Sequence, residues 1–204
     1  MRYLFLIFLS SISFGADSQL TTQLPMDHFA ATGQINGRVF HLWDIASARP
    51  KNYPKIFQIA TEPNLSDFRG HRYNGLILYV KEGALGKAIY TQYTGKNIDL
   101  LTGKLYAQAL TFQKRFFLQD NKRGESGINF WPIRQVESMP MKIYNANGSM
   151  NIDYDVLANN PVTERPLLDE IRQIPGSDLY IGKMYFRITG KKIVFLWFAL
   201  ERAE

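Results

Sequence analysis

The chain has 204 residues, of which 46% are hydrophobic and 14% aromatic, and its formal net charge is +6. This composition supports a packed core and excludes a globally disordered chain. The chain has no cysteine, which excludes disulfides, thiol catalysis, cysteine metal ligands and lipid attachment through cysteine.

The basic charge does not indicate a nucleic-acid-binding protein. Lys and Arg are scattered along the chain in ones and twos, and no run of five or more occurs. The clustered basic footprint of nucleic-acid binding is therefore missing, and we expect no nucleic-acid partner. A scattered basic surface is typical of a solvated face, or of one that meets anionic lipid or glycan.

The N-terminus has the pattern of a secretory signal peptide. Met1 and Arg2 give a positively charged start, and the uncharged, mostly apolar residues 3–14 (YLFLIFLSSISF) follow. Small residues at the −3 and −1 positions place the expected cleavage after Gly15. The apolar run is shorter than the roughly 20 residues of a membrane-spanning helix, so we favour cleavage over an uncleaved anchor.

Residues 1–15 are therefore predicted to be the signal peptide, and residues 16–33 a polar lead. Residues 34–204 are predicted to form a single domain, which their number favours. The expected location is secreted or periplasmic, as a soluble domain. Export would separate the protein from cytoplasmic nucleotide cofactors, and we expect no cofactor.

The first predicted elements lie before residue 70. Residues 34–43 (QINGRVFHLW) alternate weakly between polar and apolar side chains, which predicts a strand. Residues 50–60 place apolar side chains behind Pro54, which predicts a short helix with proline in its first turn. Residues 61–70 contain Pro and Gly and are predicted to be a loop.

After residue 70, apolar residues tend to recur at every second position. Residues 76–80 (LILYV), 87–93, 104–112 and 128–133 are predicted strands, and Gly-Lys pairs recur between the first three. Regular turn residues between short strands are typical of an antiparallel meander or barrel.

The strongest local signal is a predicted hairpin at Asn147-Gly148. Residues 141–144 precede this pair, and residues 150–154 follow it with strict alternation. Asn-Gly adopts positive φ at both central turn positions, and this geometry matches the twist of the flanking strands.

One helix is predicted among the later strands. Residues 166–174 (PLLDEIRQI) place Leu167, Leu168, Ile171 and Ile174 at helical spacing. Two closing strands then follow. The first alternates strictly, and the second, IVFLWFAL, is apolar on both faces. The predicted fold class is mainly β: an antiparallel lipocalin-like β-barrel with one or two short helices.

The sequence contains no recognisable catalytic motif. His28, His41 and His71 stand in none of the spacings of a metal site, so we expect no metal. Asp153 and Asp155 lie two apart on a predicted strand and so share one side of the sheet. Paired carboxylates can act as acid and base in a hydrolase; the alternative is a solvated strand face.

A barrel of about eight strands can enclose one small apolar ligand. Aromatic side chains on the predicted strands are candidates for lining such a site, although the same residues could simply fill the core. An arginine on the predicted helix could orient a ligand's carboxylate or phosphate; the alternative is compensation of the helix dipole. The predicted ligand-binding residues are Trp131, Tyr144, Tyr154, Arg172, Phe186 and Trp197.

Two stretches resemble the uncharacterised GXWXG-type β-barrel proteins. Residues 70–75 (GHRYNG) and 86–90 (GKAIY) are similar to the family's glycine–aromatic–glycine opening and its Gly-Lys-aromatic strand, with tyrosine in place of tryptophan. Residues 154–202 resemble the closing segment, with its helix at 169–172, its strand start at 179–183 and its FALER ending. The resemblance implies a small lipocalin-like barrel, and no reaction or catalytic residues.

Three functional hypotheses remain. The first is an exported protein that binds a small apolar or amphipathic ligand in a β-barrel. The second is an envelope interaction or structural protein that uses its basic surface against anionic lipid, glycan or a partner protein. The third is a hydrolase with an unrecognised site. We favour the first, because alternating strands lead into an aromatic-rich closing hairpin.

Overall fold

The structure of the protein is a computed structural model, and the predicted signal peptide and polar lead lie outside the residues that it describes. The predicted strand at 87–93 and most of that at 104–112 lie outside them too. The described residues are 34–35, 38–39, 41–46, 48, 50–81, 111–132, 135–155 and 160–203.

Eight antiparallel strands form a closed barrel. Each described barrel strand pairs with the next barrel strand along the chain, and the last pairs with the first to close the sheet. The predicted mainly β fold, an antiparallel lipocalin-like barrel with short helices, is confirmed. The barrel strands are β3 (Arg72–Val80), β4 (Thr111–Phe116), β5 (Gly127–Trp131), β6 (Val136–Ala146), β7 (Ser149–Asp153), β8 (Leu167–Gln173), β9 (Leu179–Ile188) and β10 (Lys191–Arg202).

The described chain begins with a small hairpin and helix α1. Strand β1 (Gln34–Ile35) pairs with β2 (Arg38–Val39), and α1 spans Leu42–Ala46. The prediction of one strand over residues 34–43 is therefore wrong in its last part. The backbone N–H of His41 donates to the Asp44 carboxylate at 2.9 Å, as in a capping box, and this contact favours a helix start.

Helix α2 (Tyr53–Ile59) confirms the helix predicted within residues 50–60, with Pro54 in its first turn. A 3-10 turn (Pro50–Asn52) precedes it, and another (Leu65–Asp67) follows in the predicted loop. The buried face of α2 packs on the outside of the barrel and forms a second apolar core there. Within the described ranges, no helix has the length and apolar character needed to cross a membrane.

The predicted turn at Asn147-Gly148 is confirmed, and a second tight turn joins the two closing strands. Asn147 and Gly148 have φ of 55° and 70° between β6 and β7, and Ala146 pairs with Ser149 across the turn. Gly190 has a φ of 78° in the turn between β9 and β10. Positive φ at these positions matches the twist of the paired strands.

The helix predicted over residues 166–174 is wrong, because this segment forms strand β8. Leu167 and Ile171 belong to the core inside the barrel, whereas Ile174 belongs to the core outside it and Leu168 is also buried. Since both faces of the strand are buried, apolar residues do not alternate along it. A buried acidic residue also takes one inward position, which removes the period-two signal.

Asp120 joins the turn after β4 to two other parts of the barrel. Its carboxylate accepts hydrogen bonds from Arg69 at 2.6 Å, from Ser126 at 2.9 Å and from Lys142. Partial burial raises the pKa of Asp120, but these hydrogen bonds outweigh burial and lower it to about 2.

We predict that Asp120→Asn destabilises the protein by about 1 kcal/mol at neutral pH, after allowance for solvent screening. A lowered folded-state pKa stabilises the fold above the ordinary value of 3.8, and this contribution is lost as pH falls toward about 2. Urea unfolding of both proteins at neutral pH and near pH 2 measures the difference. A gap in unfolding free energy that persists at the lower pH would contradict the prediction.

Candidate ligand-binding site in the barrel interior

One end of the barrel is closed by aromatic rings. Phe68, just after the second 3-10 turn, stacks on Tyr73 with ring centroids 4.7 Å apart. The Phe68 ring also packs edge to face with the rings of Phe116 and Tyr180, whose centroids are 5.1 Å and 4.9 Å away. All four rings are buried. The Tyr73 hydroxyl donates to the backbone carbonyl of Asp67 at 2.8 Å, which fixes the turn across this end.

We call the opposite end the mouth, because three of the described interior-facing side chains toward it are less completely buried. Trp131, Met184 and Phe186 lie here, and their side chains are only partly buried against the interior core. Strands β5 and β9 run in the same direction, so the end of each strand lies at the mouth.

Two phenylalanine rings lie across the interior, each packed on a glycine. Phe112 covers Gly75, its register partner on β3, and Phe198 covers Gly182, its partner on β9. A Cβ at either glycine would overlap the ring well inside van der Waals contact. The two rings meet edge to face with centroids 5.9 Å apart. Glycine at these positions therefore lets both rings cross the barrel.

A lysine lies beside these rings with its whole charged group buried. Lys114 on β4 is 1% exposed, and its Nζ lies 5.5 Å from the Phe112 ring centroid and 5.4 Å from that of Phe198. Nζ donates hydrogen bonds to Asn129 Oδ1, Tyr154 Oη and Asp169 Oδ2, each at 3.0 Å. Three acceptors match the three donors of an ammonium group.

Asp169 on β8 supplies the opposite charge and is completely buried. Its Oδ2 also accepts a hydrogen bond from the Tyr154 hydroxyl at 2.9 Å. Its other oxygen, Oδ1, is buried with no hydrogen-bond partner among the described residues. An unbonded buried carboxylate oxygen is unfavourable by about 1–3 kcal/mol or more, so it needs an explanation.

Burial and pairing act in opposite directions on this ion pair. Burial lowers the pKa of Lys114, and the adjacent Asp169 opposes that shift. Burial raises the pKa of Asp169, while Lys114 and the Tyr154 hydroxyl oppose it. The three acceptors around Nζ match a protonated lysine beside an ionised aspartate. The pair as a whole carries no net charge inside an otherwise apolar barrel.

Methionine is prominent in the interior wall. Met139, Met141 and Met150 are buried in the interior core, and Met184 packs against it at the mouth. These four are all the methionines of the described residues. Methionine is unbranched and adapts its shape to irregular spaces, so this wall can repack around an occupant.

The structure brings three of the six predicted ligand-binding residues to the interior. Trp131 and Phe186 lie at the mouth, and Tyr154 belongs to the interior core with its hydroxyl in the polar cluster. Tyr144 lies on the outside of β6, where partial burial and the nearby Asp153 raise its pKa. The aromatic pattern alone did not separate the two faces.

The other two predicted residues attach α2 to the outside of the barrel. Arg172 donates to Ser149 Oγ at 2.9 Å and to the Phe57 carbonyl at 3.3 Å, and its guanidinium lies 4.7 Å from the Phe57 ring centroid. The Trp197 ring lies near Tyr53 and Phe57, with centroids 6.2 Å and 5.9 Å away. Arg172 is on a strand, so its proposed role in compensating a helix dipole does not arise.

Asp153 and Asp155 lie on the exterior, beside one arginine. Both oxygens of Asp153 accept from Arg187, at 3.0 Å and 2.7 Å, and Asp155 lies 4.0 Å from the same guanidinium. A carboxylate held bidentately by arginine is an arrangement that stabilises structure. Among the described residues, no three His, Cys, Asp or Glu side chains are grouped so as to hold a metal ion.

The sequence analysis did not identify the polar interior cluster, although Lys114 leaves a signal in the sequence. Lys114 lies between Phe112 and Phe116 at period two, so a charge occupies an inward position on a half-apolar strand. Asp169 was hidden because its segment was interpreted as a helix. Compared with protein-family models and with curated proteins, the chain matches none.

Proposed function

We propose that the protein binds one small amphipathic molecule inside its β-barrel. The apolar part of the ligand would lie among Trp131, Met184 and Phe186 at the mouth, with its polar group directed to the cluster below. The observation that carries this proposal is the unbonded oxygen Oδ1 of Asp169, buried in an apolar interior. Ligand sites typically combine apolar walls with a few convergent polar groups.

The difference between the two ends of the barrel supports entry of the ligand from the mouth. Phe68 and its three neighbouring rings close one end, whereas Trp131, Met184 and Phe186 toward the mouth are only partly buried. Met184 is the register partner of Asp169, so a flexible side chain at the mouth lies next to the buried carboxylate. Movement of this one side chain would open a route to the polar cluster.

The remaining parts of the proposal come from the sequence. We propose that the protein is exported, on the pattern of residues 1–15, and that it is a GXWXG-type lipocalin-like barrel. We place less weight on a basic docking surface, because acidic neighbours engage several of the described basic residues. Examples are Arg187 with Asp153 and Lys192 with Glu170.

Binding can be tested with prodan, an uncharged naphthalene dye that has no hydrogen-bond donor. We expect the wild-type protein to shift its emission to shorter wavelength with saturable binding. Met184→Trp fills the mouth and should weaken binding by about tenfold or more. Leu118→Trp is the matched control, because Leu118 is 74% exposed and lies just after β4, at the closed end.

Dye binding that is absent from the wild-type protein would contradict the proposed function. Equal affinity in the wild type and Met184→Trp would place the dye elsewhere and would also contradict it. Circular dichroism of each variant confirms that the barrel is intact before the titrations are compared.

A further inference from the structure

We infer that the polar group of the ligand is an uncharged hydrogen-bond donor, in the simplest case a hydroxyl, that donates to Oδ1 of Asp169. This inference rests on the proposed function and gives the ligand its chemical class: an apolar alcohol, as opposed to a fatty acid or an amine.

The donors of the polar cluster are already used. The three protons of the Lys114 ammonium point to three acceptors, and the hydroxyl of Tyr154 donates to Asp169 Oδ2. The side-chain amide of Asn129 contacts the sulfur of Met139 at 3.6 Å and Tyr154 Oη at 3.4 Å. The unmatched group is an acceptor, Asp169 Oδ1, and it requires a donor.

The charges of Lys114 and Asp169 exclude a carboxylate and an ammonium as the polar group of the ligand. A ligand carboxylate would bring a second negative charge to Asp169, while Lys114 has no proton left to offer it. A ligand ammonium would add a second positive charge near Lys114 and leave the apolar interior with a net charge. Burying an uncompensated charge is strongly unfavourable, whereas a neutral hydroxyl is desolvated at a much lower cost.

The position of the carboxylate makes this contact accessible from the mouth. Asp169 pairs with Met184 on one side and with Ile152 of β7 on the other. Ile152 is completely buried, but Met184 is partly exposed. A chain entering beside Met184 would lay its apolar part along the mouth and place its end group at the level of Asp169.

The test is competition between three ligands of similar chain length for bound prodan on the wild-type protein. We expect 1-decanol to displace the dye at about tenfold or more lower concentration than decyl methyl ether, because a hydrogen bond to a charged acceptor is lost in the ether. Decanoate should compete no better than the ether. All three are used below the concentrations at which they aggregate.

The double variant Lys114→Met/Asp169→Leu is the second arm, and it replaces the ion pair with apolar side chains. The preference for decanol over the ether should be lost in this variant, and a preference that persisted would contradict the inference. If the dye binds but the ether or decanoate displaces it as well as decanol does, the inferred donor is wrong while the proposed function stands. If the wild type binds no dye, both fail.

Discussion

Asp169→Leu alone should destabilise the protein by about 3–5 kcal/mol, because Lys114 would remain buried with its charge uncompensated. Lys114→Met alone should have a similar effect for the opposite reason. The double variant Lys114→Met/Asp169→Leu should recover most of the loss, since apolar residues of similar volume commonly replace a buried ion pair without penalty. Urea unfolding of the four proteins gives the double-mutant cycle.

The coupling free energy from this cycle shows whether Lys114 and Asp169 interact and whether the fold needs the pair for stability. Single losses that simply add in the double variant would contradict the prediction, because they would mean that the two groups do not interact. Recovery in the double variant would show that the ion pair is not needed for stability. The proposed function gives the pair a different role, in which Asp169 receives the polar group of the ligand.

Gly182→Ala should destabilise the barrel by about 2–3 kcal/mol. The added Cβ would overlap the ring of Phe198 on the neighbouring strand, and both lie in a packed interior with little room to shift. An alanine in place of a strand glycine usually stabilises slightly, so a large loss must come from the ring contact. The midpoint of urea unfolding measures the effect.

Phe198→Leu provides the matched background for this experiment. By itself it should destabilise the protein through loss of ring packing, by about 1–3 kcal/mol. Gly182→Ala added to Phe198→Leu should then have a much smaller effect than in the wild type, because the overlapping ring is gone. An equally large effect in both backgrounds would show that the glycine is required for another reason.

Local signals in the sequence were sufficient for much of the barrel. The turn at Asn147-Gly148, the helix behind Pro54 and the alternation of β9 each depend on neighbouring residues, and the structure confirms all three. Strand β8 could not be found in this way, because both of its faces are buried and Asp169 interrupts the inward one. Burial by distant parts of the chain decided its structure.

The candidate site was harder to predict for the same reason. Lys114, Asn129, Tyr154 and Asp169 come from four parts of the chain that meet only when the barrel closes. No local spacing connects these residues, and only the inward lysine between two phenylalanines leaves a trace. Conversely, arginine and tryptophan are common in ligand sites, but Arg172 and Trp197 attach α2 to the outside of the barrel.

Titration of the wild-type protein and of Met184→Trp with prodan tests the central claim, binding inside the barrel, most directly. We predict saturable binding to the wild type, with affinity reduced by about tenfold or more when tryptophan fills the mouth. Absence of binding, or the same affinity in both proteins, would contradict the claim.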